Sequence, residues 1–73
     1  MNRIEVSLPI KLGQFVKLAS LAETGGQARE MIEMGDITVN GRVETRRGHH
    51  LDDGDVVALT LADGEVAVQV AAL

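Results

Sequence analysis

The spacing of apolar residues changes along the chain, and each change marks an element. From Arg3 to Leu8 they alternate, with Ile4, Val6 and Leu8 apolar against Arg3, Glu5 and Ser7, the period of a half-buried strand. Pro9 closes this segment, because the residue before a proline avoids the helical region. From Lys11 to Ala19 the period becomes helical: Leu12, Phe15, Val16 and Ala19 share one face, flanked by Leu18. Lys11, Gln14 and Lys17 recur every three residues on the opposite face. Gly13 weakens such a helix by up to ~1 kcal/mol relative to alanine, so packing has to hold it.

A second helix begins at Thr24, which has Gln27 three residues later, the spacing of a capping box. Ala28, Met31 and Ile32 form its inner face and leave Gln27, Arg29, Glu30 and Glu33 outside. Gly35 is placed to stop it, since a residue without Cβ enters the left-handed region cheaply. Ile37-Thr38-Val39 then alternates as a strand, Asn40-Gly41 supplies a two-residue hairpin turn, and Arg42–Thr45 returns. Leu51 is a core anchor ahead of a tight turn at Asp52-Asp53-Gly54-Asp55. Val56–Leu61 is a strand with Val57, Leu59 and Leu61 on one face. Asp63-Gly64 is a second hairpin signal, and Val66, Val68 and Val70 face inward on the partner strand. The succession predicts one α+β domain over residues 1–73, with two short helices packed on a small, bent antiparallel sheet.

Composition narrows the function classes. No cysteine is present, which excludes a disulfide framework and fits a cytoplasmic protein. No stretch approaches the ~18 apolar residues of a membrane span, so no membrane partner is expected. The net charge of −4 argues against nucleic acid until its distribution is considered. All seven lysines and arginines lie in residues 1–50, against six acids. Residues 51–73 carry Asp52, Asp53, Asp55, Asp63 and Glu65 with no base. The chain is therefore electrically polarised along its length, and the basic side chains belong to its first two thirds.

The segments Leu12–Ala19, Thr24–Gly41 and Leu51–Val57 together resemble the S-four RNA-binding domain, also called the alpha-L RNA-binding motif and named after a small-subunit ribosomal protein. The match spans roughly residues 10–60. It runs through the helix start T-G-G-Q-A-R-E-M-I, the turn I-T-V-N-G and the late G-D-V-V strand. The combination I-K-L-G-Q-F, T-G-G-Q-A and V-E-T-R-R-G is similar to the stand-alone bacterial YbcJ-like subgroup. The resemblance implies binding to structured RNA: ribosomal RNA, tRNA or a ribosomal subunit. It places the contact surface on Lys11, Gln14 and Lys17, on Gln27 and Arg29, on Asn40, Gly41 and Arg42, and on Arg46, Arg47 and His49. Gly25 stands where the family pattern has arginine, which removes one phosphate-binding fork.

The residues themselves support parts of that surface. Arg46 and Arg47 in a glycine-flanked loop can each grip phosphate oxygens with a planar, bidentate donor set. Gly25 and Gly26 open a helix N-terminus, where N–H groups attract anions and a backbone can come close. Other chemistry lacks its parts. His49-His50, with no cysteine and no further histidine, cannot build a three- or four-ligand metal site. Asp52, Asp53 and Asp55 lack the spaced ligands and closing glutamate of a calcium loop. No nucleophile–base motif is recognisable, so neither an enzyme nor a cofactor is expected. An alternative reading makes the acidic 51–73 face a docking site for a basic protein partner.

Overall fold

The computed structural model describes residues 1–73. In chain order the elements are β1 (Asn2–Val6), β2 (Ile10–Lys11), α1 (Leu12–Leu18), α2 (Gly25–Glu33), β3 (Ile37–Val39), β4 (Arg42–Val43), β5 (His50–Leu51), β6 (Val56–Leu61) and β7 (Gly64–Ala72). The α+β class holds. Five of the seven strands form one sheet in the order β1-β7-β6-β3-β4, and β2 with β5 makes a separate two-stranded ribbon.

The local signals act as the sequence predicts. The Gln27 N–H donates to Thr24 Oγ1 at 3.0 Å. Gln27 Oε1 reaches back to the N–H of Glu23, one residue before the cap. At the other end of α2, Gly35 adopts φ 84°, its N–H donates to the Ile32 carbonyl, and Asp36 N–H donates to the Met31 carbonyl. This is a Schellman stop. Asn40 and Gly41 at φ 52° and 83° form the mirror-image turn whose twist suits a hairpin.

The sheet is mixed, not purely antiparallel. β1 runs parallel to β7, pairing Asn2 with Val68 through Val6 with Ala72. No tight turn joins these strands; the rest of the domain forms the connection, so the antiparallel constraint of a hairpin does not apply. Between β6 and β7, Leu61 pairs with Gly64, so the turn residues are Ala62 and Asp63, one position before the Asp63-Gly64 signal. β4 ends at Val43, two residues short of the expected return strand.

The core gathers Val6, Leu12, Phe15, Val16, Ala22, Ala28, Ile32, Ile37, Leu51, Val57, Val68 and Val70. Leu18, Leu61 and Val66 are exposed. Leu61 lies near the tip of the β6–β7 hairpin, beyond the β6 positions that pair with β3, and Val66 precedes the β7 positions that pair with β1. No helix is long and apolar enough to cross a membrane.

The acidic turn is fastened to the sheet by its own side chains. Asp55 Oδ2 accepts from Asp52 N–H, and Asp55 Oδ1 accepts from Asn40 Nδ2, both at 2.9 Å. Asp53 Oδ1 accepts from Ala72 N–H at 2.8 Å. Asn40 Oδ1 accepts from Val56 N–H at 2.9 Å. The first hairpin, the turn and β7 are thus linked through two aspartates and one asparagine.

Candidate nucleic-acid interface

The site is assembled by the way residues 44–49 meet α1. The β2–β5 ribbon pairs Lys11 with His50 and draws the preceding loop against the helix start. Leu12 N–H donates to the His49 carbonyl at 2.8 Å, and Gly13 N–H donates to the Arg47 carbonyl at 3.0 Å. A helix leaves its first N–H groups without internal partners, and the loop satisfies two of them. The loop passes close to Gly13: a Cβ there would lie 3.4 Å from Arg47 Cβ and 3.5 Å from its carbonyl oxygen, in ordinary contact.

This contact shapes a cleft of about 420 Å³ lined by Lys11, Gly13, Gln14, Lys17, Gly25, Arg29, Arg47 and Gly48. Four cations from three segments face it, with no acidic or apolar residue in the lining. Lys11, Lys17 and Arg47 have no side-chain hydrogen bond or ion pair within the chain. Arg29 Nε pairs with Glu33 Oε2 at 3.2 Å, but both side chains are more than half exposed, so this bond is weak and leaves other guanidinium N–H groups available. Gln14 Oε1 accepts from Lys11 N–H at 3.0 Å, which leaves its amide NH₂ as a donor. Gly25 is open: a Cβ there would meet nothing within 4 Å. An array of like charges whose one internal counter-charge is the exposed Glu33 on Arg29 favours an anion.

The other expected contact residues lie elsewhere. Asn40, Arg42 and His49 border a second hollow with Val39, Val43 and Glu44. Both ends of the Asn40 amide already serve the scaffold, and Gly41 sits in the turn. Gln27 faces Glu30, Met31, Met34 and Asp36 on a separate part of α2, and Gly26 lies beside the capping Thr24.

Arg46 and Arg47 have different surroundings although they are adjacent. The Arg46 guanidinium forms a two-pronged contact with Glu44, Nε to Oε2 and Nη2 to Oε1, each at 3.0 Å, and its backbone N–H donates to Oε2. His49 Nδ1 lies 3.3 Å from Glu44 Oε1. These Arg46 bonds favour the charged carboxylate and lower the pKa of Glu44 from 4.5 to about 2, while the Arg46 pKa is raised in return. Arg46 therefore braces the loop, and Arg47 is the arginine that faces the cleft.

Glu44, Gly13 and Gly48 were not among the residues expected from sequence. Gly13 carried the available signal: a helix-weakening residue on an otherwise well-patterned helix. In the acidic region, Asp53 and Asp55 are occupied by backbone and amide donors.

The S4 domain family matches residues 3–69. A similar protein is the probable ribosome maturation protein RlbA of Bacillus subtilis (strain 168), 42% identical over 50 residues, which cover 68% of this chain and 70% of that one. With nearly its whole length matched, the chain belongs to the S4 domain family.

Proposed function

We propose that the chain is a non-catalytic RNA-binding protein that grips the phosphate backbone of structured RNA in the cleft between α1, α2 and the 44–49 loop. One observation carries this reading: four cations converge with no acid among them in a chain whose net charge is −4. Arg47 supplies a planar fork for phosphate oxygens, and Lys11 and Lys17 act as point charges beside it. Gly25 and Gly48 keep the rim low, so a sugar–phosphate strand can approach the backbone. Phe15, the sole aromatic residue, is fully buried, which leaves no platform for stacking unpaired bases. Recognition therefore rests on the shape and charge of a folded RNA.

The likeness to a probable ribosome maturation protein favours ribosomal RNA or a ribosomal subunit over free tRNA as target, and hence a cytoplasmic setting. Affinity should fall with salt at a logarithmic slope of roughly −3 to −4 for four phosphate contacts. The test measures binding to ribosomal RNA fragments, to isolated subunits and to tRNA at two salt concentrations. Salt-dependent binding that weakens strongly in Lys17→Ala/Arg47→Ala supports the reading. Absence of binding at low salt, or indifference to that double change, refutes it.

A further inference from the structure

The two edges of the five-stranded sheet differ. β4 is two residues long, a common way to blunt an edge. β1 is five residues long, has no proline inside it, and pairs only with β7. Leu73 N–H donates to the Val6 carbonyl, and Val6 is paired with Ala72, so the backbone groups of Val6 face β7. Polar groups alternate sides along a strand, so those of Ile4 and Asn2 also face β7, while those of Arg3 and Glu5 face outward. The Arg3 and Glu5 side chains are exposed and have no ion pair or hydrogen bond within the chain. Ile4 and Val6 occupy the opposite face and pack with the core.

From this arrangement we infer that β1 is a self-association edge, which pairs antiparallel with β1 of a second copy about a two-fold axis at Ile4. Antiparallel pairing through outward groups requires Arg3 and Glu5 of one copy to oppose Arg3 and Glu5 of the other. Three registers do this. Arg3 opposite Arg3 or Glu5 opposite Glu5 places like charges together, which destabilises cross-strand pairs. The remaining register sets Arg3 opposite Glu5 and Glu5 opposite Arg3, with Ile4 facing Ile4 between them. It makes four backbone hydrogen bonds and two opposite-charge pairs, and it joins two five-stranded sheets into one of ten. The sequence Arg-Ile-Glu is thus complementary to itself at the positions whose backbone is unpaired. None of the residues lining the basic cleft belongs to β1, so both clefts stay open in the pair. A single five-residue edge buries much less surface than a standard stable interface, so the dimer is a weak, concentration-dependent one.

Sedimentation of the RNA-free full chain from micromolar to millimolar concentration tests this, with circular dichroism confirming that each variant is folded. The expected result is a mass that rises toward twice the monomer value. Glu5→Arg, which puts arginine opposite arginine, should raise the dissociation constant about tenfold or more, since two symmetric pairs change from attraction to repulsion. The charge swap Arg3→Glu/Glu5→Arg restores both pairs and should recover most of the association. A chain that stays monomeric to millimolar concentration overturns the inference, as does a swap variant no more associated than Glu5→Arg.

Discussion

Charged side chains at the basic cleft and at the acidic turn stand in opposite relations to the rest of the molecule. Asp53 and Asp55 accept hydrogen bonds from the backbone N–H groups of Ala72 and Asp52, and Asp55 also holds the Asn40 amide. Their oxygens are already held by donors of the fold, and removing them would loosen it. Lys11, Lys17 and Arg47 hold nothing inside the chain, and removing them would leave the fold intact. Net charge alone misleads here, because much of the negative excess lies at a turn whose carboxylates have structural work, while the cleft cations are available to a ligand. The difference separates scaffold from site more sharply than sign or residue type does.

The comparison can be broken by experiment, beginning where the effect is largest. Lys17→Ala/Arg47→Ala should weaken RNA binding by about 2 kcal/mol, some thirtyfold, and flatten the salt slope by about 2. Its melting temperature should stay that of the natural chain. A filter-binding series paired with calorimetry measures both, and a large drop in melting temperature would show that these cations are structural after all.

Asp55→Ala should do the reverse. Losing two acceptors at one turn should cost about 1.5 kcal/mol, a fall of roughly 6–12 °C in melting temperature for a domain of this size. RNA affinity measured well below the transition should be unchanged. Affinity that rises markedly instead would mean that the acidic turn opposes RNA through its charge.

A smaller change sharpens the other side of the comparison. Gly25 lines the cleft with open space above it and has no positive φ, so Gly25→Arg fits the fold. It adds a phosphate fork and removes a glycine from the first turn of α2, so affinity should rise about fivefold, roughly 1 kcal/mol. Titration of the variant against the same RNA checks this, and an unchanged affinity would move the RNA path away from Gly25.

The smallest effect concerns Glu44, an acid that braces part of the basic loop. Its pKa in the fold is about 2, below its ordinary 4.5. The bound, ionised form therefore stabilises the loop fully above about pH 4.5 and loses that contribution as pH falls toward 2. Amide NMR of Arg46 should show the loop releasing only in that acidic window. Release above pH 5 would contradict the brace.

Local features were legible in the sequence, and distant ones were not. The Thr24 cap, the Gly35 stop and the Asn40-Gly41 turn each depend on a few adjacent residues whose conformational preferences are strong. The parallel pairing of β1 with β7 joins the two ends of the chain, and no short pattern encodes it. The ribbon between β2 and β5 is two residues a side, too brief to show a period. At the site, Lys11, Gln14 and Lys17 were legible because helical spacing puts them on one face. The divergence of Arg46 and Arg47 was not, because Glu44 lies two residues before Arg46, in a loop without a repeating geometry. Leu61 and Val66 show the limit of periodicity from the other side: alternation places them inward, but β6 runs past β3 at Leu61 and β7 starts before its pairing with β1 at Val66, and both stay exposed.

The carbonyls of Arg47 and His49, not their side chains, tie the loop to α1. Every residue carries the same carbonyl, so the path of the chain past Gly13 does not depend on which side chain stands at position 47. That position behaves as an exchangeable socket: its side chain can be lengthened, shortened or reversed in charge while the backbone beneath it keeps its place. On the proposed function, RNA affinity could accordingly be retuned at a single position without refolding the surface that presents it.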